Sequence, residues 1–182
     1  MKFKNKPNKC HEITENGNKR LIWESRSVAV NCIVVLKNNL CEQYVLVSER
    51  GPNAADFVGK LNLISGYLDW NESGTDAVYR EAWEECGINL PELINNSFNV
   101  VIKNNLNDPW EVETTPNENR QNISLRYGVI LMYNHIELPH LSTEHNEIKG
   151  EVEKSWWMPI TDIDNYQWAF SHDKVIKKYL KI

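Results

Sequence analysis

The segment that most limits what this chain can fold into is GYLDWNESGTDAVYREAWEECGI, residues 66–88, which sets Glu81, Glu84 and Glu85 within one helical turn of each other. Residues 75–86 are predicted to form a helix. Asp76 suits its first turn and Gly87 its C-terminal cap, with Pro91 just beyond to stop it. At about 100° per residue, Val78, Tyr79, Ala82, Trp83 and Cys86 are assigned to one arc and the three glutamates to the opposite side, at spacing i, i+3, i+4. Like charges at that spacing weaken a helix by a few tenths of a kcal/mol per pair. A divalent cation between them reverses the sign of the arrangement, and an all-oxygen donor set favours Mg²⁺ or Mn²⁺ over zinc. The competing reading of an isolated acidic triplet is a solvated helix face.

Around this helix the pattern is that of a sheet. Residues 27–36, SVAVNCIVVL, form a β-branched run expected as a central strand. Further strands are predicted at 42–50, 61–68, 98–104, 123–134 and 152–160, and an amphipathic C-terminal helix over 173–182. Residues 106–122 and 137–151 read as polar loops. Asn16-Gly17 marks a hairpin ahead of the first core strand. Strands on both sides of one helix, with a second helix at the end, give an α/β fold with a mixed sheet between helices. A division into an arm at 1–26 and a domain at 27–182 follows. The chain of 182 residues suits one domain.

Net charge is −5, so the composition gives no electrostatic case for nucleic acid as the main ligand, and DNA is not an expected partner. A polyanionic substrate would need positive charge from elsewhere, and a metal ion supplies it. The four cysteines, Cys10, Cys32, Cys41 and Cys86, show no CxxC spacing, so the expectation is a reduced, cytoplasmic protein without zinc. The basic N-terminal residues are not followed by an apolar run, and no stretch reaches the ~20 apolar residues of a membrane span.

The order Gly66, five residues, Glu72, seven residues, then Arg80-Glu81-Ala82-Trp83-Glu84-Glu85-Cys86-Gly87-Ile88 resembles the Nudix box. Every fixed polar and glycine position is matched, and Ala82 stands where a larger aliphatic is usual. GKLNLISGYLD resembles the family's lead-in with substitutions at Leu61, Ile64 and Ser65, and WWMPITDI resembles the strand and turn after its last catalytic loop. The resemblance implies an α/β/α sandwich over about residues 27–170. It also implies Mg²⁺-assisted attack of water on the pyrophosphate of a nucleoside diphosphate linked to another moiety. Glu81, Glu84 and Glu85 are then expected as metal ligands and catalytic groups, with the Gly66 carbonyl as a further ligand. Glu72 and Arg80 are expected to pair and fix the loop against the helix, and Gly87 to close it.

The general base in this family is a helix glutamate in some branches and a glutamate of the loop before the last strand in others. Here that loop offers Glu144, Glu147, Glu151 and Glu153, and the offset from Trp157 favours Glu151. Arg50, ahead of Gly51-Pro52, is a candidate for a phosphate contact or a plain surface charge. Trp70 and Trp110 are candidates for base stacking, with packing the commoner fate. The histidines show no ligand spacing. Asp108-Pro109, RQNISLRYGVIL and AFSH at 169–172 resemble ADP-ribose-type members, so ADP-ribose or a related nucleotide sugar ranks first. A nucleoside triphosphate or dinucleoside polyphosphate ranks second, and a non-catalytic ligand sensor is the reading from another class. The resemblance further implies a homodimer through the N-terminal hairpin.

Overall fold

Residues 28–37 dictate the centre of the fold, because a β-branched run with apolar side chains on both faces is stable only when covered on both sides. In the computed structural model, which describes residues 7–116, 121–135 and 137–182, this run is β3 (Val28–Lys37). The hairpin ahead of it is β1 (Lys9–Glu15) and β2 (Asn18–Glu24), turning through Asn16 and Gly17 at φ 51° and 79°. Positive φ at both turn positions matches the twist of the strands. These two strands form their own sheet, with Leu21 and Trp23 exposed. The first six residues of the expected arm lie outside the described residues.

The main sheet continues with β4 (Gln43–Arg50), β5 (Leu61–Asn62), β6 (Ile64–Tyr67), β7 (Asn99–Asn105), β8 (Glu111–Glu113), β9 (Ile123–Tyr133) and β10 (Val152–Pro159). Its order is β10-β4-β3-β9-β7, with β5 beside β4, β6 beside β3 and β8 beside β9. Only the β3–β9 pairing is parallel among the described strands, so the sheet is mixed, as expected.

Alternate residues of β3 supply two cores. Val30, Cys32, Val34 and Leu36 meet Ala77, Val78, Ala82 and Cys86 of helix α1 (Gly74–Cys86). On the other face, Ile33 and Val35 join Val175, Ile176 and Tyr179 of a C-terminal helix (His172–Leu180). The architecture is therefore an α/β/α sandwich. Helix α1 begins with a capping box in which Ser73 and Asp76 satisfy each other's backbone N–H groups. It ends on Gly87 in the left-handed region, φ 66°, whose N–H donates to the Trp83 carbonyl at 2.8 Å.

Three local expectations are corrected. Residues 61–68 are two short strands, not one, because the chain changes partner from β4 to β3 at Leu63. The Leu63 N–H leaves the ladder and donates to His172 Nδ1 at 3.0 Å. Pro91 does not simply stop the chain after α1. It lies in the first turn of α2 (Leu90–Asn95), where a missing N–H is harmless, and Asn89 accepts from the Glu92 N–H at 3.2 Å. With α2 named, the C-terminal helix is α3. The polar connection after β7 contains β8, an edge strand held to β9 by the ion pair of Glu111 with Arg126 at 2.6 Å. Among the described residues no helix is long and apolar enough to cross a membrane.

Candidate active site

The helix carrying the three glutamates does not turn them away from the core. Glu81 and Glu85 are 9% and 7% exposed, whereas Trp83 is 45% exposed, so the two-sided division expected from the sequence is corrected. Glu85 follows Val78 by seven residues and falls about 20° from it around the axis. The carboxylates thus rise along the border of the buried face. Trp83 instead stacks on His145 across the top of the helix, ring centres 4.1 Å apart.

Arg80 organises this border. Its Nη1 donates to Glu81 Oε1 at 2.7 Å and to Glu84 Oε2 at 3.1 Å. Its Nε and Nη2 donate to the two oxygens of Glu72 at 3.1 and 2.8 Å, and Nη2 also reaches the Tyr67 carbonyl at 3.0 Å. The Glu72–Arg80 pair ties the loop before α1 to the helix, and it holds the Glu72 carboxyl below the usual range. Glu81 is pushed up to about 7, first by burial, against the pull of Arg80 and with Glu84 and Glu151 adding to the rise. Glu85 is raised well above the ordinary carboxylate value by burial and then by Glu81, with Glu151 adding and the Ser65 N–H and Arg50 opposing. The Ser65 N–H donates to Glu85 Oε2 at 3.3 Å. A Cβ at Gly66 would overlap the Glu81 carboxylate, so glycine there leaves the space the carboxylate fills.

Among the described residues no three His, Cys, Asp or Glu side chains already converge at ligand distance, and Arg80 stands between Glu81 and Glu84. The donor chemistry nonetheless fits a hard divalent cation. The donors are oxygen only, and buried carboxylates resisting ionisation are stabilised most by an added positive charge.

Ser65 and Gly66 also form one wall of a cavity of about 730 Å³ on the α3 side of the sheet. Arg50 and Glu151 line it too. Arg50 is buried, with Nε donating to the Asp56 carbonyl at 2.8 Å and Nη2 to Asp56 Oδ1 at 3.1 Å. Glu151 is brought there by its loop: the Gly51 N–H donates to the Glu151 carbonyl at 2.7 Å and the Asn53 N–H to the Gly150 carbonyl at 2.9 Å. The same loop is pinned to α1 by the Ser142 N–H on the Cys86 carbonyl at 2.9 Å. Of the four loop glutamates considered, Glu151 is half-buried and lines the cavity, while Glu144, Glu147 and Glu153 are exposed. Glu81 and Glu85 stand behind Gly66 and Ser65, and none of Glu81, Glu84 and Glu85 is in the cavity wall.

The cavity contains groups that spacing did not single out: Phe57, Trp168, Phe170 and His172. His172 is buried, and burial followed by the positive charges of Arg126 and Arg50 lowers it to about 3, so it is neutral. Because Nδ1 accepts from Leu63, its proton sits on Nε2. Of these, only Phe170 and His172 fall in the AFSH string at 169–172; Phe57 and Trp168 carry no sequence signal. Trp70 and Trp110 do not line the cavity. Trp70 is 77% exposed under Arg20, and Trp110 packs on Tyr179.

A family model described as the NUDIX domain matches residues 25–179. Solved structures share the fold. The NUDIX domain of Shewanella oneidensis NrtR complexed with ADP ribose is 16% identical, TM-score 0.61, over 87% of this chain and 88% of that one. A bifunctional NMN adenylyltransferase/ADP ribose pyrophosphatase from Francisella tularensis, complexed with AMP and a Mn ion, is 16% identical, TM-score 0.62, over 86% of this chain but 42% of that one. A C. elegans Ap4A hydrolase is 14% identical, TM-score 0.56, over 85% and 96%.

Proposed function

Because this chain belongs to the NUDIX-domain family, we propose that it is a Mg²⁺- or Mn²⁺-dependent pyrophosphohydrolase of a nucleoside diphosphate linked to a second moiety, with ADP-ribose or a related nucleotide sugar first. The observation that carries this reading is the joint wall of one cavity. Arg50 and Glu151 face it together with Ser65 and Gly66, and the buried carboxylates of Glu81 and Glu85 stand immediately behind those two residues. ADP-ribose ranks first because Phe170, Ser171 and His172 of the AFSH string line this cavity and because a neighbour of the same fold holds that ligand.

Glu81, Glu84, Glu85 and the Gly66 carbonyl are the groups that would hold the cation. When bound, it screens diphosphate charge, polarises a phosphoryl oxygen and lowers the pKa of water. Arg80 is anchored on Glu72 through Nε and Nη2, so it would keep its place if Glu81 and Glu84 held a cation. Arg50 donates to a phosphate oxygen from the cavity wall, with Asp56 fixing one edge of its guanidinium. Glu151 accepts the proton of the attacking water. In a protein of net charge −5 the phosphates need both the cation and Arg50.

Three further parts of the reading are proposals of the same kind. The N-terminal hairpin pairs with a second copy, since a lone two-stranded sheet with exposed Leu21 and Trp23 is marginal. Residues 27–182 form the catalytic domain and 1–26 the arm. The four free thiols suit a cytoplasmic setting.

The test is product release. Purified protein with Mg²⁺ is expected to convert ADP-ribose to AMP and ribose 5-phosphate, and E85Q to do so far more slowly. Turnover of nucleoside triphosphates or dinucleoside polyphosphates alone would assign the second substrate class. Calorimetric binding of ADP-ribose without product in either protein would overturn the enzyme reading in favour of a sensor.

A further inference from the structure

We propose that Asn31 and Arg126, on the floor of the cavity, read the nucleobase of the substrate through an acceptor and a donor that the protein itself leaves unpaired. The inference rests on the pyrophosphohydrolase reading for its substrate class, but its observations are separate. Asn31 is the one polar residue in the run Val28 to Leu36 and is 6% exposed. Its Oδ1 is buried with no hydrogen-bond partner among the described residues, and the same is true of Arg126 Nε. Buried polar atoms are rarely left in this state. Both lie just beneath the surface of a cavity that their residues line, so a ligand there pairs with them once the Asn31 amide and the Arg126 guanidinium turn toward it.

The sheet register sets these two groups next to each other. Asn31 on β3 pairs in parallel with Arg126 on β9 and, on its other side, antiparallel with Ser65 on β6. Arg126 in turn pairs with Glu111 on β8, which accepts from its Nη1 at 2.6 Å and fixes the guanidinium while leaving Nε over. One rank of polar side chains, Ser65–Asn31–Arg126–Glu111, therefore crosses four adjacent strands on the cavity face. Packing does not ask for it. The next residue of β3 on that face is Ile33, fully buried in the apolar core.

An acceptor lacking a donor, beside a donor lacking an acceptor, is complementary to a group that presents both on one edge. Nucleobases do so, with an amino or ring N–H beside a ring nitrogen or carbonyl. The walls favour a flat heterocycle over a sugar: Phe57, Trp168 and Phe170 line the same cavity and offer aromatic faces. Ser65 links the rank to the diphosphate end, since its N–H donates to Glu85. A nucleotide with its phosphates at Gly66 and its base over Asn31 and Arg126 fits along this line.

Binding of hydrolysis products separates the possibilities, using the whole chain and no turnover. Calorimetry of AMP, GMP, CMP, UMP and base-free ribose 5-phosphate is expected to show at least one nucleotide bound about tenfold or more tighter than ribose 5-phosphate. N31L, which removes the acceptor at similar volume, and R126K, which keeps the charge paired with Glu111 but loses Nε, are each expected to abolish that preference and to leave ribose 5-phosphate binding within about twofold. In the double variant the loss should not add further, because one base bridges both groups. Equal weakening of ribose 5-phosphate in both variants would assign the rank to the sugar or to the fold and overturn the proposal. An unchanged base preference would overturn it too. If N31L does not fold, R126K decides alone by the same readout. Base selectivity without hydrolysis of any diphosphate would fail the enzyme reading and leave this one standing, whereas hydrolysis with a base preference that N31L and R126K do not alter fails this one only.

Discussion

The two ends of the site solve opposite electrostatic problems. At the α1 end negative charge is crowded and buried, and the single guanidinium of Arg80 contacts Glu72, Glu81 and Glu84. On the cavity floor charges of both signs are interleaved with neutral polar groups, and two atoms, Asn31 Oδ1 and Arg126 Nε, have no partner among the described residues. On the proposed function, the α1 end stores repulsion that a bound cation would relieve, and the floor stores hydrogen-bonding capacity that a ligand would satisfy. Both are states a protein keeps at some expense of stability, which is where function is expected to sit.

The largest way to break this contrast is E85Q. With the buried carboxylate neutralised, kcat on a diphosphate substrate should fall by roughly 10³-fold, the loss expected for several kcal/mol of charge stabilisation. In chelator the same variant should melt higher, by about 2–4 °C for a gain near 1 kcal/mol. Lower activity with a lower melting temperature would mean that Glu85 is a structural group. Next in size, E151Q should lower kcat by about 10²-fold, the usual scale for a lost general base. E144Q and E147Q, on exposed positions of the same loop, should stay within about twofold. G66A pushes a methyl group into the Glu81 carboxylate, and the overpacking should destabilise by about 1–3 kcal/mol. Its kcat should fall roughly tenfold through the displaced ligand.

The smallest effect is a pH dependence in which the two ends oppose each other. Glu81 is raised to about 7, so the metal-free fold takes up its proton before the unfolded chain does, and stability rises as pH falls from about 7 to the ordinary carboxylate value. His172 is lowered to about 3, so the unfolded chain is protonated first, and stability is lost as pH falls below the ordinary histidine value of about 6.5. Between about 6.5 and 4.5 the two slopes partly cancel, and below 4.5 His172 acts unopposed. Chemical denaturation across pH should therefore show an early acid decline in E81Q and a delayed one in H172F. Parallel curves for both variants and wild type would remove the electrostatic contrast.

The two ends also differ in how far the chain announced them. The α1 end is built from residues within one short stretch: helical spacing makes Glu81, Glu84 and Glu85 neighbours, and the resemblance to the Nudix box adds Glu72, Arg80 and Gly87. Even there the burial of Glu81 and Glu85 was misread. Val78, Ala82 and Cys86 of the expected arc do pack inward, but Trp83 turns outward onto His145, and Ala77, Glu81 and Glu85 take the buried border instead. The order of strands was only partly legible: β3 and β9 announced themselves by their apolar runs, whereas β8 exists because Arg126 holds Glu111. The cavity is assembled by sheet register across β6, β3, β9 and the start of α3. No spacing rule brings Asn31 beside Arg126 or puts His172 under Leu63. Glu151 lay between these cases: its offset from Trp157 singled it out, and its backbone bond with Gly51 is what brings it to Arg50.

The most direct test of the central claim is anomalous diffraction from crystals of the whole chain soaked in Mn²⁺ with a non-hydrolysable ADP-ribose analogue. The account predicts a manganese peak within about 2.0–2.3 Å of carboxylate oxygens of Glu81, Glu84 and Glu85, with Arg80 retained by Glu72 and the analogue's diphosphate between that peak and Arg50. Carboxylates still closed on Arg80, with no peak beside them while the analogue is bound, would contradict it.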